Sequence, residues 1–430
     1  MNSYPEALKY LYSRLPMFSR TGAPAYKPGL DTVLDLASFF DNPHQKFKSI
    51  HVGGTNGKGS TSHMISSVLQ SQGYKVGLYT SPHLVDFRER IKINGRMIPE
   101  NNVVEFVEAW KKSGYNGSPS FFELTMIMAF DWFAKEKVDY AVIEVGMGGR
   151  LDSTNIIQPL LSIITNISHD HNQFLGNTLK EIAGEKAGII KQGIPVVIGE
   201  TQEETKNVFL ETANKNDCEI FFADQYDDNL ELISLDAGWE GRNRDLKFIL
   251  PLGGDYQKHN VKTVLVAIDR LRKIGIDISD SSIKSGLENV INQTGLMGRW
   301  SVLSFSPLTI ADTGHNIAGL TYNFNQLNKL IKSRRDGKLR VVIGFVADKA
   351  IDKIIKILPQ DAVYYVTNAQ IPRALPANQL KKIFDDNGLK AFKFDLVAEA
   401  YKEAKKEASE KDIIFIGGST FIVADYFSSI

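Results

Sequence analysis

The sequence predicts an α/β protein built as two domains around mostly parallel sheets. Two observations carry this. From Phe47 onward, short apolar runs alternate with segments of helical periodicity. The alternation pauses at the polar, glycine-bearing stretch Asn292-Gln293-Thr294-Gly295-Leu296-Met297-Gly298, which reads as a linker, and then restarts. The chain has 430 residues, 43% of them hydrophobic, enough for two or three cores.

The elements follow in order. Ser49–Gly53 reads as a strand, Ser60–Gln72 as a helix with Met64, Ile65, Val68 and Leu69 on one face, and Gly73 as its C-terminal glycine. Val76–Thr80 and Ile194–Ile198 read as strands, and the near-continuous apolar runs Tyr140–Val145 and Leu160–Ile167 as strands buried on both faces of a parallel sheet. Thr178-Leu179-Lys180-Glu181 is a capping-box signature, predicting a helix to about Lys191. Asn229–Leu235 and Leu246–Leu250, with Gly241-Arg242-Asn243-Arg244 between them, predict a small β-hairpin add-on. Helices are expected at 259–274 and 281–289. Beyond the linker, strands are expected at 308–311, 340–345, 362–366 and 413–416, separated by helices at 320–332, 352–358, 377–387 and 397–410. The division falls at 1–296 and 297–430, the second part being smaller and Rossmann-like.

Lys plus Arg and Asp plus Glu are both 50, so the formal net charge is zero and no nucleic-acid or membrane partner is implied. Cys218 is the single cysteine, which excludes an internal disulfide and a cysteine-rich zinc site. Met1-Asn2-Ser3-Tyr4-Pro5-Glu6 has no basic flank leading into an apolar core, so no secretory signal is expected. No apolar run approaches the roughly 18–20 residues that span a bilayer. The expectation is a soluble, cytoplasmic protein.

Gly53-Gly54-Thr55-Asn56-Gly57-Lys58-Gly59-Ser60 lies between a strand and a helix. Glycines let successive N–H groups turn toward one point, a helix N-terminus adds partial positive charge, and Lys58 adds a full one. Such a P-loop-type turn suits a triphosphate. It departs from the usual pattern in two places, with Val52 where the first glycine belongs and Gly59 where a hydroxyl residue should follow the lysine.

Gly54–Ser60 resembles the nucleotide loop of the Mur ligase superfamily. Tyr79-Thr80-Ser81-Pro82-His83-Leu84 with Phe87-Arg88-Glu89-Arg90-Ile91 resembles the signature of the folylpolyglutamate synthase and dihydrofolate synthase family. Glu144–Asn155, His169-Asp170-His171, Glu185–Lys191 and Asp312-Thr313-Gly314-His315-Asn316 resemble four further motifs of that family, in the right order along nearly the whole chain.

The resemblance implies a bifunctional, Mg²⁺-dependent ligase binding ATP between two domains. Gly54, Thr55, Asn56, Gly57, Lys58, Gly59, Ser60, Asn260, Arg299 and Asp312 would contact ATP. Ser81, Glu144, His171 and Lys186 would hold the metal, Lys186 as a carbamate, with His169 behind them. Ser81, Pro82, Phe87 and Arg90 would face the folate, and Lys58, Lys186 and His315 would be catalytic. The substrates would be ATP, L-glutamate and a reduced folate or dihydropteroate, and the protein a monomer.

The residues themselves leave alternatives. Glu144 ends an apolar strand, where open sheets bind ligands, but a strand-end glutamate can also be merely solvated. His171 read alone is a loop histidine bonded to a neighbour, since Mg²⁺ prefers oxygen. No acidic residue lies a helical turn from Lys186, so no local ion pair explains it, yet a surface lysine needs no such partner. Phe87 and Arg90 suit stacking on a heterocycle and pairing with a carboxylate, or equally a core ring and a surface charge. Asn316 is also a good helix cap. Rival functions are a Mur-type cell-wall precursor ligase, a P-loop kinase or ATPase, and a nucleotide-binding module without catalysis.

Overall fold

The computed structural model describes residues 3–17, 29–226 and 229–429. They form two compact units. The first comprises Met1–Leu232, Gly241–Ile249 and Lys258–Gly295; the second comprises Ile233–Glu240, Leu250–Gln257 and Leu296–Ile430.

The first unit is built on an eight-stranded sheet. Its strands are β1 (Lys48–Gly53), β2 (Val76–Tyr79), β3 (Ile91–Ile93), β4 (Arg96–Met97), β5 (Tyr140–Glu144), β6 (Leu161–Ile164), β7 (Val196–Ile198) and β8 (Ile220–Phe222). They run in the order β4-β3-β2-β5-β1-β6-β7-β8. All pairs from β2 to β8 are parallel. β3 and β4 close one edge as an antiparallel hairpin. Its turn is Asn94-Gly95, both at positive φ, the two-residue turn whose twist matches the strands. The parallel strands are apolar because helices cover both faces; every residue of β5 and β6 is buried.

β1 lies between β5 and β6, at the point where the strand order reverses. Val52 of β1 stands level with Glu144 of β5, and Gly53 with Ile164 of β6. The loops leaving these three strands therefore gather at one edge, where open α/β sheets place their ligands.

Three further strands, β9 (Glu231–Leu235), β10 (Gly238–Asn243) and β11 (Leu246–Leu250), form a small sheet in the order β11-β10-β9. A hairpin was expected here. β10, Gly-Trp-Glu-Gly-Arg-Asn, lacks an apolar alternation and reads as a turn. The linker expectation is also corrected: a helix, Val290–Thr294, occupies its first part and ends at Gly295, φ 64°. The helix from Leu179 stops at Ala187, short of Lys191. Gly188 there lies so close to Arg150 that a Cβ would sit 2.4 Å from the Arg150 Cα.

The second unit carries a six-stranded sheet of β12 (Ser301–Phe305), β13 (Leu308–Ala311), β14 (Leu339–Ile343), β15 (Val363–Val366), β16 (Ala391–Lys393) and β17 (Ile413–Gly417). The order is β12-β13-β17-β14-β15-β16, parallel except for the β12–β13 pair. Under it lies a buried ionic cluster. Arg340 Nε donates to Asp412 Oδ2 at 2.7 Å, and its Nη1 donates to Glu407 Oε2 at 2.9 Å and to the Tyr365 hydroxyl at 2.5 Å. The Arg340 and Asp412 side chains are 8% and 4% exposed. Replacing Arg340 with methionine strands the Asp412 charge and should cost about 3–5 kcal/mol in urea unfolding. A loss under about 1 kcal/mol would show that the cluster contributes little to this domain.

Among the described residues, no helix is long and apolar enough to cross a membrane.

Candidate active site

β1 ends at Gly53 and the helix Lys58–Ser71 begins four residues later, with Gly57 as its left-handed N-cap. Two glycines in this loop are demanded by close approach. A Cβ on Gly54 (φ 133°) would lie 1.9 Å from Thr165 Oγ1, and one on Gly57 (φ 84°) would lie 2.3 Å from Asn260 Oδ1. The segment after β6 moulds the loop. The Thr55 N–H donates to the Asn166 carbonyl at 2.9 Å, and the Asn56 N–H to Asn166 Oδ1 at 3.0 Å. The Thr165 hydroxyl donates to the Asn56 carbonyl at 2.5 Å.

Two lysines converge on one carbonyl of this loop. Lys58 Nζ lies 3.2 Å and Lys186 Nζ 2.9 Å from the Gly54 oxygen. Lys186 is 3% exposed. Burial above all, and then the charge of Lys58, pushes its amine down to about 7. The surface alternative for Lys186 is thus corrected. The helical face of Ile182, Ala183 and Ala187 is buried with it.

Glu144, at the end of β5, is 3% exposed, and its Oε2 accepts the Ser81 N–H at 2.9 Å. The chain after Glu144 runs to the helix that bears Lys186. A Cβ on Gly149 would lie 3.0 Å from the Lys186 Cα, and the Arg150 N–H donates to the Glu185 carbonyl at 2.7 Å. His171, at φ 52°, precedes the short helix Asn172–Leu175, and its N–H donates to Asp170 Oδ1 at 3.0 Å. Among the described residues, no three His, Cys, Asp or Glu side chains cluster as a ready metal cage. The donors present still suit Mg²⁺, which takes one or two carboxylates and fills its remaining positions with water and phosphate. Lys186 as an amine is a donor and fits such a cation only once it carries oxygens.

Next to Ser81, Pro82 is exposed. Phe87 is not the open stacking platform anticipated. It is 1% exposed and packs edge-on against Phe121 and His83. Arg90 is buried as well, with Nε donating to His83 Nδ1 at 2.7 Å and its guanidinium over the Phe121 ring.

In the second unit, the loop after β13 carries Asp312 to Asn316. Asn316 caps the helix Ile317–Lys332 by accepting the Gly319 N–H at 2.9 Å. His315 Nδ1 lies 3.1 Å from the Thr313 carbonyl. Arg299 Nη1 donates to the Thr313 hydroxyl. Asp312 is 2% exposed. Its Oδ1 accepts from the Gly314 N–H at 2.7 Å and Asn323 Nδ2 at 2.8 Å, and its Oδ2 from the Trp300 N–H at 2.7 Å and the Tyr256 hydroxyl at 2.5 Å. A carboxylate has about four lone-pair sites, and all are taken.

Residues 52–268 match the Mur ligase middle domain, and residues 298–420 match the Mur ligase glutamate ligase domain. The chain is 34% identical, over 98% of its own length and 98% of the other's, to a dihydrofolate synthase/folylpolyglutamate synthase of Bacillus subtilis. It belongs to that family of Mur ligases. Two solved structures of the family superpose on all of this chain. One is Escherichia coli FolC in complex with DHPP and ADP, at 28% identity over 97% of that chain, with a TM-score of 0.85. The other is the bifunctional Yersinia pestis enzyme with AMPPNP and Mn ion, at 28% identity over 98% of that chain, with a TM-score of 0.83. As a member of this family the protein is an ATP-dependent ligase.

Sequence reasoning missed the residues that shape the family's loop from outside it. Thr165 and Asn166 end the apolar run of β6, and a polar pair in that place was a usable signal. Asp152 was quoted within a motif and given no role. It is buried, takes the Met147 N–H at 2.8 Å, and so fixes the turn after Glu144.

Proposed function

We propose that the protein uses ATP to join L-glutamate to a folate-type carboxylate, both as folylpolyglutamate synthase and as dihydrofolate synthase. The observation that carries this is the pair of lysines on the Gly54 carbonyl, at the mouth of a glycine loop that opens a helix. A carboxylate resists amine attack because it is anionic. Its oxygen attacks the γ-phosphorus of ATP, the bond to the β-phosphate oxygen breaks, and ADP leaves. The amine of L-glutamate then attacks the acyl carbon, loses a proton, and expels inorganic phosphate.

Phosphoryl transfer of this kind needs positioning and charge neutralisation rather than a protein nucleophile. Lys58 and the loop N–H groups supply both. Mg²⁺, held by Ser81, Glu144, His171 and a carbamylated Lys186, would add positive charge beside the transferred phosphoryl group. An uncharged Lys186 amine can attack CO₂, releasing one proton and leaving a carbamate with two oxygens. An amine near 7 is uncharged often enough for this at neutral pH. Arg299 is read as a further ATP contact and His315 as a further catalytic residue. The same reading takes residues 1–296 as the ATP-binding part and 297–430 as the glutamate-ligase part of a cytoplasmic monomer.

Phosphate release from MgATP tests the proposal, with dihydropteroate or tetrahydrofolate, each with and without L-glutamate. Release that requires acceptor and glutamate together, with a mass gain of one glutamyl residue on each acceptor, is expected. Turnover indifferent to both acceptors would defeat the reading.

A further inference from the structure

The helix Leu179–Ala187 carries Lys186 as its penultimate residue, in the turn where carbonyls run out of partners within a helix. The carbonyls from Glu185 to Gly188 all find one. Those of Lys186 and Ala187 accept the Ile189 and Ile190 N–H groups at 3.2 and 2.9 Å. The other two are met from outside, by the segment that leaves Glu144. The Arg150 N–H donates to the Glu185 carbonyl at 2.7 Å, and Asn155 Nδ2 donates to the Gly188 carbonyl at 3.0 Å. Asn155 Nδ2 also donates to the Arg150 carbonyl at 3.1 Å, so one amide group holds both sides of the seam.

The seam is narrow, with a glycine on each side. A Cβ on Gly149 would lie 2.7 Å from the Glu185 oxygen, and one on Gly188 would lie 2.4 Å from the Arg150 Cα. The segment is also closed upon itself. Asp152 Oδ2 accepts the Met147 N–H at 2.8 Å and its Oδ1 accepts the Thr154 N–H at 3.0 Å, while the Asn155 N–H donates to the Asp152 carbonyl at 2.8 Å. Asn155 is 5% exposed, and its Oδ1 has no hydrogen-bond partner among the described residues. Burying an unpaired oxygen costs free energy. The side chain therefore acts as a pair of donors, which aspartate and leucine, of similar size, lack.

We propose that Asn155 is a positioning residue: its amide clamps the last turn of the Lys186 helix to the segment that leaves Glu144, and so sets the spacing of those two side chains. Its own partners are main-chain carbonyls, so its effect on a metal ion passes through Glu144 and Lys186. This rests on the reading of Glu144 and Lys186 as metal ligands, so the test begins there.

Electron paramagnetic resonance of Mn²⁺ with ATP, together with Tm, is measured on full-length Glu144→Gln, Asn155→Leu, Asn155→Ala and Ser162→Ala. Glu144→Gln should weaken Mn²⁺ binding, and full affinity in it would overturn the reading of the site and the inference with it. Removing a group that orients metal ligands costs about 10–100-fold in metal affinity, so Asn155→Leu is expected to raise the Kd for Mn²⁺ at least about tenfold. Ser162 Oγ donates to the Ile189 carbonyl at 2.8 Å, tying the same stretch to β6 rather than to the Glu144 segment. Ser162→Ala also removes a buried hydrogen bond, yet should leave that Kd within about twofold. An equal loss of Mn²⁺ affinity in Ser162→Ala and Asn155→Leu, at an equal fall in Tm, would reduce both to general loosening and overturn the inference. Wild-type affinity in Asn155→Leu, with Glu144→Gln impaired, would overturn it while sparing the reading of the site. Asn155→Ala leaves room for water at the two carbonyls, and it decides the matter in the same way if Asn155→Leu fails to fold.

Discussion

Replacing Lys186 with methionine should lower kcat by on the order of 10²–10³-fold while making the protein more stable to heat. The two effects have one cause. The amine is held near 7 in the folded protein, against 10.5 in an unfolded chain. Between these values the unfolded state binds more protons, so stability rises with pH across that window. Below about 7 the lysine is protonated in both states and the cost of burying its charge beside Lys58 is fully present. Methionine removes that cost. The gain in Tm should therefore be larger at pH 6 than at pH 9 in buffers stripped of CO₂. Bicarbonate should raise the activity of the unmodified enzyme and leave the methionine variant unchanged. A variant with near-normal turnover would end the proposed role of this lysine, and a Tm gain equal at both pH values would contradict the shifted amine.

Glu144→Gln should fold normally and lose about 10²–10³-fold in kcat at saturating MgATP. The amide oxygen of glutamine still accepts the Ser81 N–H that the carboxylate accepts at 2.9 Å, so the loop after β2 keeps its anchor. What is lost is the negative charge, the property a hard cation needs. Mn²⁺ binding followed by electron paramagnetic resonance in the presence of ATP reads that loss apart from turnover. Full metal affinity in the variant would move the site away from Glu144, and activity within about tenfold of the parent would remove the carboxylate from the mechanism.

Much of the scaffold was legible because buried parallel strands announce themselves. Tyr140–Glu144 and Leu161–Ile164 are buried on both faces, as are Leu339–Ile343 and Ile413–Gly417 in the smaller sheet. The nucleotide loop was legible because Gly54 and Gly57 leave no room for a side chain. Other features depend on partners far along the chain. The saturation of Asp312 needs Tyr256, 56 residues earlier, and that pairing leaves no trace in local periodicity. The burial of Phe87 depends on Phe121, from a helix, Phe121–Lys135, that is buried nearly all round and so shows no amphipathic stripe. β10 was missed for the opposite reason, being polar enough to pass for the turn of a hairpin.

The order of the strands also governs what the sheets can do at their margins. The large sheet ends on one side in Arg96–Met97, two residues with exposed side chains, and on the other in Ile220–Phe222, only three. The smaller sheet ends in Ala391–Lys393 and in Ser301–Phe305, whose pairing shifts register between Val302 and Ser304. A long, flat, unpaired margin is a template for another chain. Here each of these margins is short or irregular, which makes it a poor template for a neighbouring strand.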